Sequence, residues 1–361
     1  MDNVYPLFKK VTQSTDDEVC SPPLLRVETS SPFKFHPANV GILCRPGGGL
    51  QTSSSHFSWV HKTMISPVVH KPVLVKEITA MANTVPSGLI IDATVGLGGH
   101  SLAILSARSD ITILGIDRDQ KALDEANKNL KPFKGRYNLV QARFSQINEV
   151  SHQKAVFILF DLGLSSLQLE DYSRGFSFYS NSKLDMTMGA DYEKTAWHVV
   201  NQYSVKALQE IFSLNGETKQ VAYKVAQEIV KARPIEYTNE LVEIIMAAKK
   251  GRRGKIHPAT KIFQAIRREV NNEHNELING LKSAQSLIAP NGIIAVISYH
   301  SLEDRVTKVF FDEITGHIKV EPVANFSFVI SRKAIKPSEQ ELADNPRARS
   351  ARLRAVRRNS K

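Results

Sequence analysis

The stretch Asp92-Ala93-Thr94-Val95-Gly96-Leu97-Gly98-Gly99-His100-Ser101 ends an apolar run, Leu89 to Val95, and opens a helical pattern. Glycines at such a junction let a ligand approach the backbone, and the free N–H groups of the helix start face an anion. What the loop lacks narrows the ligand. A dinucleotide fingerprint wants a third glycine where this chain has Ser101, and a phosphate-cradling loop wants a Gly-Lys-Ser/Thr, whereas no Lys or Arg lies between Asp92 and Ser101. S-adenosylmethionine, with a sulfonium and one small carboxylate in place of a pyrophosphate, suits an uncharged loop of this kind. The competing reading of the loop by itself is a glycine turn with no ligand. Asp117, which ends the next apolar run, weighs against that reading, because an acid about 20 residues downstream is placed to accept both ribose hydroxyls of an adenosine cofactor.

These residues need a scaffold, and the alternation of the sequence supplies one. Leu89 to Val95, Ile111 to Asp117, Tyr137 to Ala142 and Ala155 to Asp161 read as strands, with helices predicted over Ser101 to Arg108 and, behind an Asp119 cap, through Ala122, Ala126 and Leu130. Strand and helix in turn are the pattern of an α/β sheet. From 171 to 257 only helical periods occur, among them Val221, Val225 and Ile229. Pro258 then opens one long helix, predicted to run through Ile262, Ile266, Val270, Leu277 and Leu281 and to stop at Pro290-Asn291-Gly292. Ile293 to Ser298 reads as a fifth strand, and Ser301-x-x-Asp304 as the capping box of the next helix. The expected organisation is therefore a discontinuous α/β domain, 67–170 and 258–330, interrupted by a helical insertion at 171–257 and followed by a basic tail at 331–361.

Residues 1–66 are rich in Ser, Pro and Gly, with no sustained period, and read as a poorly ordered extension. From Thr29 to Ser66 there is no acidic residue, as in an organelle-targeting peptide, while Asp2, Asp16, Asp17 and Glu18 fit a plain solvated tail. A mitochondrial destination and a cytoplasmic one follow from the two readings. Cys20 and Cys44 are the only cysteines, so the rest of the chain holds no disulfide, Cys-based zinc site or iron–sulfur cluster; no metal is expected. Apolar runs are too short for a membrane span.

Lys and Arg total 47 against 36 Asp and Glu, a net charge of +11. The excess is local. Ser331 to Lys361 has ten basic residues against Glu339, Glu341 and Asp344, a net of +7, and Lys249-Lys250-Gly251-Arg252-Arg253-Gly254-Lys255 adds +5. A charge run is ordinarily a solvated face, but two of them beside a cofactor domain favour nucleic-acid phosphates.

Seven motifs carry a resemblance: Gly96-x-Gly-Gly-His-Ser, Asp161-Leu-Gly-x-Ser-Ser-x-Gln-Leu, Arg174-Gly-Phe-Ser-Phe, His257-Pro-Ala-Thr, Phe263-Gln-Ala-Ile-Arg, His300-Ser-Leu-Glu-Asp-Arg and Asn345-Pro-Arg-Ala-Arg-Ser. Together, from about His70 to Arg352, the chain resembles the small-subunit ribosomal RNA cytosine-N4 methyltransferases of the RsmH or MraW family, which has a mitochondrial branch. The resemblance implies a Rossmann-like class I S-adenosylmethionine-dependent methyltransferase sheet whose helical insertion recognises RNA. It implies that Gly96, Gly98, Gly99, His100 and Asp117 hold the methionine and ribose portions of the cofactor. Phe144 would pack on adenine, and Asp161 and Gln168 would make the remaining contacts. Taken singly, Phe144 reads as core and Gln168 as a loop residue, whereas Asp161, a carboxylate ending a buried strand, needs a partner. The implied partner is small-subunit ribosomal RNA or the assembling particle, with no membrane; the residues do not decide an oligomeric state.

For methylation of an exocyclic amine, the candidates to hold the amine or receive its proton are Asp161 first and His300 second, with the Ser165 and Ser166 hydroxyls beside them. His300 has an equal alternative, that of fixing the turn before Ser301. Carbon-5 methylation needs a cysteine nucleophile, and none follows Cys44. The sequence departs from the family at Asn181-Ser182-Lys183-Leu184-Asp185-Met186-Thr187-Met188-Gly189, where an Asp-Gly-Pro-Leu-Asp-Met-Arg-Met-Asp run is usual, and at Tyr299, where Phe is usual. These changes put substrate placement in question. They keep two rival readings open: a ribosome-assembly factor with little chemistry, and an amino-methyltransferase acting on another nucleic acid. The Pro-Pro-Tyr or Pro-Pro-Phe usual in DNA amino-methyltransferases is Leu162-Gly-Leu here.

Overall fold

The computed structural model describes residues 71–163, 171–189, 194–249, 257–317, 326–329 and 333–360, with backbone alone at Tyr172 and 326–329. The N-terminal extension, Ser165, Ser166, Gln168 and the basic run from Lys250 to Lys255 lie outside the described residues. No described helix is long and apolar enough to cross a membrane.

Seven strands form one sheet: β1 (Gly88–Asp92), β2 (Ile111–Asp117), β3 (Tyr137–Gln141), β4 (Ala155–Asp161), β5 (Ile288–Ser298), β6 (Phe326–Val329) and β7 (Arg352–Arg358), in the order β3-β2-β1-β4-β5-β7-β6. The first five are parallel, and β7 runs antiparallel between β5 and β6. The runs read as continuous apolar strands are buried on both faces, as parallel strands between helix layers must be. Alternate side chains serve opposite layers. Ile90, Phe157, Leu159 and Ile293 pack with Ile78 and Ile104 from α1 (Val75–Ala82) and α2 (Gly99–Ala107). Ile91, Ile158, Phe160 and Ile294 face a second layer. The chain winds outward from β1 to β3 and then returns to β4 on the other side, so the order reverses between β1 and β4. Open α/β sheets bind ligands at the carboxyl ends of the strands at such a reversal.

Asp119 caps α3 (Gln120–Leu130), its side chain accepting from Lys121 N, and Ala122, Ala126 and Leu130 are buried as the spacing predicts. A short helix, α4 (Ile147–Val150), precedes β4. After β4 come α5 (Ala196–Gln202), α6 (Val205–Leu214), α7 (Lys219–Ala232) and α8 (Thr238–Ala248). Ser204 and Thr218 cap α6 and α7. These helices enclose a core of their own from Val199, Phe212, Val225, Ile229, Leu241 and Ile245.

Three expectations are corrected. The long helix from Pro258 is two helices, α9 (Thr260–Val270) and α10 (Glu273–Leu287), because Asn272 adopts a left-handed conformation at φ 49°. α9 buries Ile262 and Ile266 in the helical core, whereas α10 packs Leu277 and Leu281 on the sheet, so the boundary predicted at 257/258 falls one helix later. The turn at Pro290-Asn291-Gly292 does not precede β5 but lies within it: pairing with β4 jumps from Ala155↔Ile288 to Phe157↔Ile293 across this irregularity. A Cβ on Gly292 would sit 2.9 Å from both Ala289 O and Val156 O, so no larger residue fits that bulge.

The third correction concerns the basic tail. Residues 339–344 form α12, and Arg352–Arg358 form β7 inside the sheet. Leu353, Ala355 and Val356 are buried, and Arg354 makes two hydrogen bonds, 2.6 and 3.1 Å, to the Asp304 carboxylate. Asp304 lies on α11 (Ser301–Ile314), and Arg352 reaches the same carboxylate at 2.9 Å. Arg358 donates to Ile288 O and Arg357 to Asn291 O. Much of this charge therefore holds the sheet together. Burial alone would raise the Asp304 carboxyl, but hydrogen bonds from Arg354 and then Arg352 hold it below the usual carboxylate range. Arg354→Met should cost about 2 kcal/mol in denaturant unfolding, less than full rupture of a buried pair because Arg352 remains. The wild-type contribution is present above the ordinary carboxylate pKa and is lost as pH falls through the depressed value.

Candidate active site

A cavity of about 390 Å³ opens over the carboxyl ends of β1, β2, β4 and β5, lined by the glycine loop, Asp117, Phe144, Asp161, Met188, Gln264, Arg267, Tyr299 and His300. The loop is shaped by two left-handed glycines, Gly96 at φ 50° and Gly98 at φ 81°, with Gly98 at the N-terminus of α2. Gly99 lies against the Pro72 ring, where a Cβ would come within 3.2 Å.

Asp92, at the end of β1, anchors this loop. Its carboxylate accepts from the Ser101 hydroxyl at 2.7 Å, and burial pushes it above the usual range. Thr94 ties the loop to β4, its hydroxyl accepting from Asp161 N at 2.6 Å. Sequence reasoning passed over both residues, although Asp92 carries the same signal as Asp117, an acid closing an apolar run.

Asp117 accepts from Gly96 N at 3.0 Å and from Asp119 N at 2.9 Å. Burial pushes its carboxyl up to about 6 despite those bonds. Phe144 meets Phe160 edge-on, with centroids 5.8 Å apart, and lies against Gly280 of α10, where a Cβ would come within 2.7 Å of the ring. Asp117 and Phe144 thus give the cavity wall a carboxylate and an apolar shelf.

Asp161, the last residue of β4, lines the same cavity. Its Oδ1 accepts from the Tyr299 hydroxyl at 2.8 Å, and its Oδ2 lies 3.4 Å from His100 Nε2. His100 is buried. Burial opposes its cation, but Asp161, with Asp92 behind it, outweighs that and raises its pKa. His100 Nδ1 is buried without a hydrogen-bond partner among the described residues. The structure brings Gly96, Gly99, His100, Asp117, Phe144 and Asp161 to one cavity, while Gly98, at the N-terminus of α2, is not among the residues that line it.

His300 is held differently. It, not Ser301, is the N-cap of α11: Nδ1 accepts from Leu302 N and Glu303 N at 3.3 and 3.4 Å, and Nε2 lies 3.0 Å from Glu303 Oε1. Nδ1 is thus engaged within its own turn, whereas Nε2, for all its closeness to Glu303, has no hydrogen-bond partner among the described residues. Glu273, His300 and Glu303 also bring ligand atoms within 4.8 Å of one another, a spacing a metal could use. The positive charge among them comes from Arg268, whose Nε lies 3.7 Å from Glu273 Oε2, and from Arg267, which donates to the same oxygen at 3.0 Å. Burial disfavours the Arg267 guanidinium, and Glu273 and Glu303 more than offset it, so a divalent ion would sit against a cation.

The divergent 181–189 segment remains docked. Leu184 and Met186 are buried in the helical core, the Asp185 carboxylate accepts from Thr187 N and Oγ1, and Met188 N donates to Asn271 Oδ1 at 2.9 Å. Met188 lies on the cavity wall.

The residues present fit S-adenosylmethionine: a glycine loop without Lys or Arg, an acid for the ribose, an apolar shelf for adenine and a buried histidine disposed to be cationic for a carboxylate. Residues 67–359 match the MraW methylase family. The chain is 42% identical over 300 residues to the ribosomal RNA small subunit methyltransferase H of Persephonella marina, covering 81% of this chain and 99% of that protein. With the protein of the same name from Helicobacter pylori it shares 39% identity over 302 residues, covering 79% and 96%. A crystal structure of an rRNA methylase from Streptococcus thermophilus aligns at 9% identity and a TM-score of 0.38, over 80% of this chain and 98% of that one.

Proposed function

This chain belongs to the MraW methylase family, and from that premise we propose its reaction: transfer of the S-adenosylmethionine methyl group to the exocyclic N4 amine of a cytidine in small-subunit ribosomal RNA. The observation that carries this reading is the placing of Asp117 and Asp161 on the wall of one cavity beside a glycine loop that holds no Lys or Arg. One carboxylate is for the donor and the other is for the acceptor. The cofactor, when bound, supplies an electrophilic methyl on sulfur.

The cytosine amine is a poor nucleophile because its lone pair is delocalised into the ring. Holding it in line with the methyl is the main task of the protein, since orienting two reactants can remove roughly 7–11 kcal/mol of barrier. Asp161 is the acceptor within reach: a carboxylate taking a hydrogen bond from N4–H localises the lone pair and receives the proton as the N–C bond forms. His300, engaged in its own turn, supports the wall of the cavity. N4 is hidden in a stacked pair, so the substrate is unpaired RNA or an extruded base.

Arg347 lines the cavity and Arg349 lies two residues beyond, both exposed. As β7 follows directly, the phosphate contacts cannot be tested by truncating the chain before Asn345, which would remove a strand. Arg347→Ala with Arg349→Ala should instead reduce the slope of log affinity against log salt by about 1.4 for single-stranded RNA, with little loss of fold.

The deciding experiment is methyl incorporation from labelled cofactor into small-subunit RNA, followed by nucleoside analysis. Labelled N4-methylcytidine is expected. Label in another nucleoside or in DNA would replace the proposed substrate, and tight binding without label would make the chain an assembly factor.

A further inference from the structure

Tyr299 follows the last residue of β5 and reaches across the end of the sheet to Asp161. Three contacts fix it there. Its ring covers Gly163, which is left-handed at φ 118° and would place a Cβ 3.3 Å from Cδ2. Its backbone N donates to Glu303 Oε2 at 3.0 Å, and its hydroxyl donates to Asp161 Oδ1 at 2.8 Å. A phenylalanine could keep the ring contact but not the hydroxyl bond.

We propose that Tyr299 is a positioning residue for methyl transfer: its hydroxyl engages one oxygen of Asp161, fixes the plane of the carboxylate and holds it as an acceptor for the substrate amine. This rests on the reading of Asp161 as the acceptor of N4–H. Burial, and then the Asp161 charge, push the Tyr299 hydroxyl far above its ordinary pKa, so it remains a donor throughout the working range. The other titratable or charged groups around Asp161 and Tyr299 are His100 on α2, Asp92 at the end of β1, Glu303 on α11 and Glu341 on α12, with Lys71 and Arg347 on the cavity wall. Removing the hydroxyl leaves all of them in place.

The test is single-turnover methyl transfer with cofactor and RNA saturating, measured beside the affinities for both. In Tyr299→Phe the plateau rate should fall several-fold while the two dissociation constants and the melting temperature stay near wild type. Incorporation of 2,3-difluorotyrosine at 299, a stronger donor with nearly the same shape, should keep the wild-type rate. A role confined to packing would leave the rate of Tyr299→Phe unchanged. Asp161→Asn separates the two levels of the argument. If it loses the rate while Tyr299→Phe keeps the wild-type rate, the inference on Tyr299 is overturned and the reading of Asp161 stands. If Asp161→Asn keeps the wild-type rate, both are overturned.

Discussion

Asp117→Ala should weaken binding of S-adenosylhomocysteine by about a thousand-fold in titration calorimetry, from the loss of two hydrogen bonds to a charged acceptor at roughly 1.5–3 kcal/mol each. The same substitution also strips the acceptor from Gly96 N and Asp119 N, so the loop loses its shape together with its ligand contact. Asp117→Asn keeps one acceptor and should lose about a hundred-fold, which separates charge from loop geometry. Because burial raises this carboxyl to about 6, the wild-type affinity carries a pH signature. Only the ionised form accepts from both ribose hydroxyls. Affinity should be flat above that value and fall about tenfold per unit below it, because protonation competes with the ligand. In Asp117→Asn the dependence should vanish. A wild-type affinity that is level from pH 5 to 7 would remove Asp117 from the ribose site.

Asp161→Asn should lower the single-turnover rate by about a hundred- to a thousand-fold with cofactor saturating, the scale of a positioned proton acceptor. The amide is nearly isosteric and can still accept from the Tyr299 hydroxyl, so the fold and the wall of the cavity persist. What disappears is the negative charge that localises the amine lone pair. His300→Ala is the contrast. As the cap of α11 it should cost about 1 kcal/mol of stability and leave the rate within a few-fold of wild type. A large fall in rate from His300→Ala with an intact Asp161→Asn rate would exchange the two roles.

The cofactor half of the cavity was legible in the sequence because parallel strands buried on both faces must be apolar throughout, so an acid at their end stands out. Asp117 and Asp161 are visible on that ground, and Asp92 carries the same mark. The Tyr299–Asp161 bond and the Thr94 tie to Asp161 N join separate strands, and no spacing in the chain announces them. The C-terminal strand was hidden by its own composition. In Arg352-Leu-Arg-Ala-Val-Arg-Arg the charges dominate a count, while the inward residues Leu353, Ala355 and Val356 are modest, and the neutralising Asp304 lies far away in sequence. The break at Asn271-Asn272 shows why a continuous helical period is weak evidence for one helix. A single residue that tolerates a left-handed conformation redirects the axis without disturbing the apolar spacing on either side.

The bulged pairing of β4 with β5 has a consequence for how the chain assembles. Ala155 meets Ile288 only after the whole helical segment has been spanned, and β7 can join only once β5 is in place. Lengthening a connection costs little at equilibrium, about 0.6 kcal/mol per doubling, but contacts between distant parts of a chain slow folding far more strongly. The helices between β4 and β5 contact near neighbours and can condense early, drawing the two central strands together. The helical segment would then act as the local nucleus that shortens the search for the sheet.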